Sequence, residues 1–489
     1  MKENNVLPDR LPQNSIFFEV SLYGLIAFVS VIMMAAAFSN AYAAVLAAGG
    51  SVFLLGAYAL YIYNRNRQIP IVTPGQMAGV LVFAGILVRL VLAAGIYGYV
   101  SDVECFTGWS YFAYNGGLDH FYTSGFFADY PPLYMYVLYF LGLLQDVFAI
   151  SANVFLIKLP AIAGDIILAF VLYKAAQKRL NRTQAIFVFM CILLNGALIV
   201  NSAAWGQIDV LFVLLALICV YFLMIKKYTL SVVFFILTLL LKVQAVLLAP
   251  LFIFVFAKGI FVKKSRQETL VGFLVGLAVG VGVGLLLILP FTGGRPLSWI
   301  FDLYLNSLGG YSYVSVNAFN LYGLLGLNWM PLETTFLGVP FNIWGIIGVA
   351  AVCGYGAFLY RMDSRGGNLF NISAFITLGV YMFASSMHER YSFAAPVFLL
   401  TAYVLLKNRK LFYAFLLTSG TVLINECVAL AYYNLLIPYE IMVWISVFNI
   451  IAFVYTVIVV TRSSLNYHNN EGKRLVANEK EKMSAHAAA

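Results

Sequence analysis

The sequence predicts an all-α polytopic membrane protein of about fourteen transmembrane helices, with an interfacial helix in its first large outer loop. Three observations predict it: an apolar composition, apolar segments of span length that recur along the chain, and basic residues gathered on one side. The 489 residues are 63% hydrophobic and 10% charged, whereas a soluble domain is about a quarter charged. A water-soluble core cannot cover that much apolar surface, so the bilayer must be the solvent for most of the chain. The net charge of +9 then belongs to loops facing the cytoplasm and implies no nucleic-acid partner. The cysteines Cys105, Cys191, Cys219, Cys353 and Cys427 are scattered without pairing or metal spacing.

A helix needs about 20 apolar residues to cross the hydrocarbon. The segments that qualify are 16–37, 41–63, 76–99, 152–174, 183–201, 206–225, 229–245, 246–262, 268–290, 341–361, 368–386, 391–407, 411–431 and 438–461. A single kinked helix broken near Pro250 would also fit 229–262. No small-residue cleavage site follows the first run, which reads as a retained span.

With the N-terminus inside, the basic clusters Lys174–Arg182, Lys258–Arg266 and Lys407–Lys410 all face the cytoplasm. Only Arg89, Lys158, Lys242, Arg295 and Arg390 depart from that side. The layout is a cytoplasmic N-terminus (1–15), one polytopic domain (16–462) with outer loops 100–151 and 291–340, and a disordered cytoplasmic tail (463–489). Both termini are then cytoplasmic in a multi-pass plasma membrane protein, and the large loops lie outside. Counting 132–148 as a span would turn the KAAQKRLNR cluster outward. That segment, rich in Tyr134, Tyr136, Tyr139 and Phe140, therefore reads as interfacial or re-entrant, with a true span as the alternative.

The stretch from Ser101 to Pro132 carries Asp102, Glu104, Asp119 and Asp129 and no Lys or Arg. On an irregular segment Asp102 and Glu104 could face one cavity, one as general base and the other positioning an acceptor hydroxyl. A divalent ion stays possible there, although a hard cation wants more oxygens than two side chains supply. The plain alternative is a solvated acidic loop. Asp129-Tyr130-Pro131-Pro132 reads as an opening for a helix.

A charge in hydrocarbon costs at least a few kcal/mol unless paired or hydrated. Arg89 could pair with Asp165 and Arg390 with Glu389. Lys158, Lys242, His388 and Arg390 fall at outer ends of spans, where cations could meet a lipid phosphate. Trp205, Gln207 and Asp209 of WGQID could contact a sugar, or simply form an interfacial turn. Lys242 and Gln244 in LKVQ could serve a ligand or the bundle's interior.

Taken in order, these motifs resemble the GT-C superfamily of membrane glycosyltransferases. The pattern is similar to the dolichyl-phosphate-glucose glucosyltransferases and to bacterial relatives of the second GPI mannosyltransferase. An Asp-x-Glu pair (Asp102, Glu104), a Trp five residues later (Trp109) and Asp-Tyr-Pro-Pro-Leu (Asp129 to Leu133) come first. Lys242, Gln244 and Pro250 follow, then His388-Glu389-Arg390, with Arg where the family has Lys. The resemblance spans roughly residues 100 to 400 and the ordered set is its specific part.

It implies a GT-C-like bundle and metal-independent, inverting transfer of a hexose, mannose or glucose, from a polyprenyl-phosphate donor. The acceptor would be a hydroxyl of an extracytoplasmic glycan or lipid, within a membrane-lipid environment. Asp102 becomes the general base, with Glu104 beside it. Lys242, His388, Arg390 and Lys158 become donor-phosphate ligands. Trp109, Asp129, Tyr130, Trp205, Gln207, Asp209, Gln244 and Glu389 become substrate contacts. No cofactor is implied. A multi-span transporter or lipid flippase is the competing class, resting on Arg89 and Asp165 within spans.

Overall fold

In the computed structural model, residues 74–150, 152–433 and 435–487 are described. The expected N-terminus and the spans 16–37 and 41–63 lie outside them. The chain runs α1 (Pro74–Gly95), α2 (Val100–Asn115), α3 (Pro132–Val147), α4 (Val154–Gln177), α5 (Arg182–Leu193) and α6 (Gly196–Ile199), which passes into a π-helical turn, Val200–Trp205. It continues with α7 (Asp209–Met224), α8 (Tyr228–Leu241), a 3-10 segment (Val243–Leu248), α9 (Ala249–Phe261) and α10 (Lys263–Ile288). The second large loop holds α11 (Trp299–Gly309), β1 (Ser315–Val316), α12 (Leu321–Leu324), β2 (Thr335–Phe336) and β3 (Val339–Pro340). Then come α13 (Phe341–Met362), α14 (Asn368–Phe383), β4 (Met387–His388), α15 (Ala394–Leu406), α16 (Arg409–Ala431) and α17 (Tyr439–Ala487).

Each span expected between 76 and 461 coincides with helix. Their lengths differ from the expectation. Among the described residues seven helices are long and apolar enough to cross a membrane, or eight if α1 and α2 count as one broken span. The expected spans 206–225, 229–245, 368–386 and 391–407 are the shorter helices α7, α8, α14 and α15. Polar junctions cut them short: WGQID before α7, Lys242 after α8, and the SSMHER turn between α14 and α15. The stretch 463–487, expected as a tail, lies within the last helix. α17 carries straight on through it to Ala487, because no Pro or Gly pair interrupts the run and its Lys, Glu and Ala residues are good helix formers.

Local signals start these helices. Asn153 accepts from Leu156 N at α4, and Asn181 with Gln184 forms a full capping box at α5. Pro132 opens α3, where a missing N–H costs nothing. The turns alternate in character. One set, between α4 and α5, α7 and α8, α9 and α10, and α15 and α16, carries the basic clusters. The other set, before α2, between α6 and α7, after α8 and after α14, carries or directly adjoins Asp102, Asp209, Lys242 and the His388–Arg390 corner. The second loop is strapped over that end. β1 pairs in parallel with β4, matching Ser315 to Met387 and Val316 to His388. Arg295 donates to Tyr122 O, Phe291 O and Thr292 O, and stacks 4.6 Å from the Trp299 ring.

Candidate functional site

The site begins at a sharp bend. α1 and α2 meet at 88° across residues 96–99. Gly98 has φ +118°, and a Cβ there would lie 2.5 Å from Trp205 O. Only glycine allows that conformation and that approach. Tyr99 N then donates to Trp205 O at 3.0 Å, and the Tyr99 ring stacks on Trp205 at 4.6 Å. The start of α2 is thereby fixed against the π-turn, a feature often found at functional sites.

Asp102 sits in the first turn of α2, where the helix dipole favours a carboxylate. Its Oδ2 accepts from Trp205 Nε1 at 2.7 Å and Gln207 Nε2 at 2.8 Å. Its side chain keeps 21% of its exposure, and Oδ1 accepts no hydrogen bond from the described residues. Asp102 is thus held by one oxygen and open at the other.

Behind it lies a charge network. Arg390 Nη1 donates to Glu389 Oε1 at 2.7 Å, Nη2 lies 3.6 Å from Asp102 Oδ2, and Nε lies 3.7 Å from Asp209 Oδ2. The guanidinium also lies 5.4 Å over the Trp205 ring. Asp209, the first residue of α7, pairs through Oδ1 with Lys242 and accepts through Oδ2 from Asn201 Nδ2 at 2.9 Å. Lys242 owes its position to the break after α8, where its backbone is extended. Its ammonium lies 5.4 Å from the Tyr130 ring.

His388 on β4 meets the Tyr311 ring edge-on at 4.3 Å, and its Nε2 is buried without a partner. Burial holds the His388 imidazole well below its ordinary range and raises the Glu389 carboxyl. Asp129 is half-buried, and burial, with the nearby Asp102 charge second, pushes its carboxyl up to about 6.

Several expected roles change. Glu104 is exposed. Residues two apart on a helix point roughly 200° apart, so α2 turns Glu104 away from the side on which Asp102 meets Trp205 and Gln207. The irregular segment that would have joined them does not exist. Lys158 is fully buried and donates to Ile96 O, Ala203 O and Ala204 O at 2.6–3.3 Å. Its ammonium ties the bend to the π-turn and is enclosed by those three carbonyls. Trp109 is buried, and its Nε1 donates to Phe127 O at 2.8 Å, so it pins the following loop.

Trp205, Gln207 and Asp209 are buried too. They orient Asp102, Tyr130 and Lys242. Tyr130 is buried and donates to Gln207 Oε1 at 3.0 Å. Gln244 is half-buried in the 3-10 segment with Nε2 unpartnered.

The Arg89–Asp165 pair forms as expected. Arg89 Nε donates to Asp165 Oδ2 at 2.7 Å, and Nη1 donates to Leu193 O and Gly85 O. Ser202 also donates to Asp165 Oδ2. The pair is fully buried and binds α1, α4 and the π-turn together.

Four residues of the site were not singled out from the sequence. Asn201, Tyr99 and Tyr311 carry no charge to mark them. Glu426 does: a lone acid inside a predicted span was the available signal. Among the described residues no group of three His, Cys, Asp or Glu side chains is arranged to hold a metal. In comparisons with known proteins, the chain matches no family model and no curated protein.

Proposed function

We propose that the chain is a membrane glycosyltransferase that moves a hexose from a polyprenyl-phosphate donor to a hydroxyl of an extracytoplasmic glycan or lipid. The observation that carries this reading is Asp102: a partly open carboxylate with one free oxygen, anchored by Trp205 and Gln207 beside Arg390. A general base needs a fixed direction and a vacant acceptor oxygen. The ordered motifs described above supply the donor class.

The termini are cytoplasmic and the site is extracytoplasmic, in keeping with the basic clusters at the opposite turns. α2 and α3 lie along the outer surface, a placement supported by the 88° bend. Asp102 Oδ1 takes the proton of the acceptor hydroxyl. The hydroxyl oxygen forms the new bond to the anomeric carbon from the face opposite the phosphate. The bond from that carbon to the phosphate oxygen breaks, and its electron pair leaves with the phosphate. Arg390, Lys242 and His388 face the donor, and the two fixed cations stabilise the charge that grows on the leaving group.

Purified protein is assayed with a panel of synthetic polyprenyl-phosphate hexoses. Transfer from one of them is expected, falling about 10²–10⁴-fold in Asp102→Asn. Wild-type turnover in that variant would sink the base assignment. Lipid scrambling or solute uptake in proteoliposomes without donor would favour the transporter reading instead.

A further inference from the structure

Glu426 is a buried acid near the site that the proposed chemistry leaves unused and that has no cation in contact among the described residues. It lies in α16, fully buried. Its Oε1 accepts from Asn201 Nδ2 at 2.9 Å, and the same nitrogen donates to Asp209 Oδ2 at 2.9 Å. Two carboxyl groups therefore converge on one amide. Asp209 has cations beside it, Lys242 in contact and Arg390 at 3.7 Å. Glu426 forms no ion pair with any described residue.

The unpartnered atoms complete the picture. Glu426 Oε2 and Asn201 Oδ1 are both buried acceptors without a donor. They belong to two side chains already joined through Nδ2 and Oε1. A buried acceptor without a donor costs about 1–3 kcal/mol, and an ionised carboxylate without a cation costs more. One proton on Oε2 removes the unpaired charge and turns one orphan acceptor into a donor for the other. An acid and a primary amide then join through two bonds in place of one. Two carboxyl groups meeting on one amide disfavour each other's ionised form, so that one of them keeps its proton.

We propose that Glu426 is a neutral carboxylic acid joined to Asn201, and that this pair is a positioning element that sets Asp209 and so aims Lys242 at the donor. The assignment of Lys242 to the donor rests on the transferase reading; the protonation of Glu426 does not. Asn201 is suited to the task. It lies in the π-turn, and its backbone carbonyl accepts from both Gly206 N and Gln207 N. Its side chain cannot rotate freely away from either acid. A neutral Glu426 steadies Asn201 while leaving Lys242 with one counter-charge in contact, Asp209, which an incoming phosphate can displace. An ionised Glu426 would add a second negative charge on the far side of the Asn201 amide and hold the cation back.

Two measurements test this. Infrared difference spectra of the full chain in nanodiscs at neutral pH, wild type minus Glu426→Gln, are expected to show a carboxylic-acid C=O band that moves to lower frequency in D2O. A difference spectrum with only carboxylate bands would overturn the protonation. Donor kinetics test the positioning. Glu426→Leu is expected to raise the donor KM about tenfold or more, and Glu426→Gln, which keeps a neutral donor and acceptor, to restore most of that loss. Equal KM changes in both variants, or a loss confined to kcat, would overturn the positioning role. If no sugar donor proves active, the infrared measurement still decides the protonation.

Discussion

Two clusters of charge lie within this bundle, and they are built on different principles. In the Arg89–Asp165 pair one cation meets one carboxylate at 2.7 Å, both fully buried. At the α2 bend five carboxyl groups, Asp102, Asp129, Asp209, Glu389 and Glu426, surround two fixed cations, Arg390 and Lys242. A matched, sealed pair holds helices together, and the atoms it leaves without a partner, Arg89 Nη2 and Asp165 Oδ1, are themselves buried. A mismatched cluster with one open carboxylate retains unspent interactions, and its proton and ion balance can change when a substrate arrives. Both began in the sequence as ionisable groups in apolar surroundings. Charge balance and exposure, not location in a span, separate their roles.

The sharpest way to break the comparison is to unbalance the sealed pair. Arg89→Leu strands Asp165 in the interior and is expected to lower stability by about 3–5 kcal/mol, read as a fall in the unfolding midpoint in detergent. A wild-type midpoint would mean the pair is not sealed in the membrane.

The open cluster responds to pH. The folded protein keeps a proton on Asp129 up to about pH 6, while the unfolded chain loses it near the ordinary carboxylate range. The folded state therefore binds more protons between those values. Stability from this group is full below the unfolded range and falls by roughly 2–3 kcal/mol as pH rises through 6. Asp129→Asn is expected to flatten the fall in midpoint between pH 4 and pH 7; an unaltered slope in that variant would contradict the assignment.

Smaller effects sharpen the boundary of the site. Trp109→Phe removes the bond to Phe127 O at a cost of about 1 kcal/mol. It should loosen residues 116–131, seen as faster hydrogen exchange there, with the donor KM little changed. Glu104→Gln should alter stability by less than about 0.5 kcal/mol and turnover hardly at all. A large loss of turnover would return Glu104 to the chemistry.

Much of the helical layout was legible, because apolar length and polar interruption are local properties. The short α7, α8, α14 and α15 were read too long because hydropathy does not register where a polar junction ends a helix inside the bundle. Within the site, Asp102, Lys242 and Arg390 were legible as charges in the wrong place. Glu104 was misjudged because facing depends on whether residues 100–115 are coil or helix. The full burial of Lys158 and Trp205 was not legible because it depends on what packs over them.

The sequence by itself determined that the chain is largely helical and apolar, where the apolar helices expected as spans lie between 76 and 461, and which ionisable residues needed an explanation. Those follow from composition and from the cost of charge in hydrocarbon. Only the tertiary structure decided which of those residues meet. Asn201 can hold Asp209 and Glu426 together, across 225 positions of sequence for the latter, only once α16 lies against the π-turn. Partner choice among buried polar groups is fixed by distances of about 3 Å, and no local pattern in the chain encodes them.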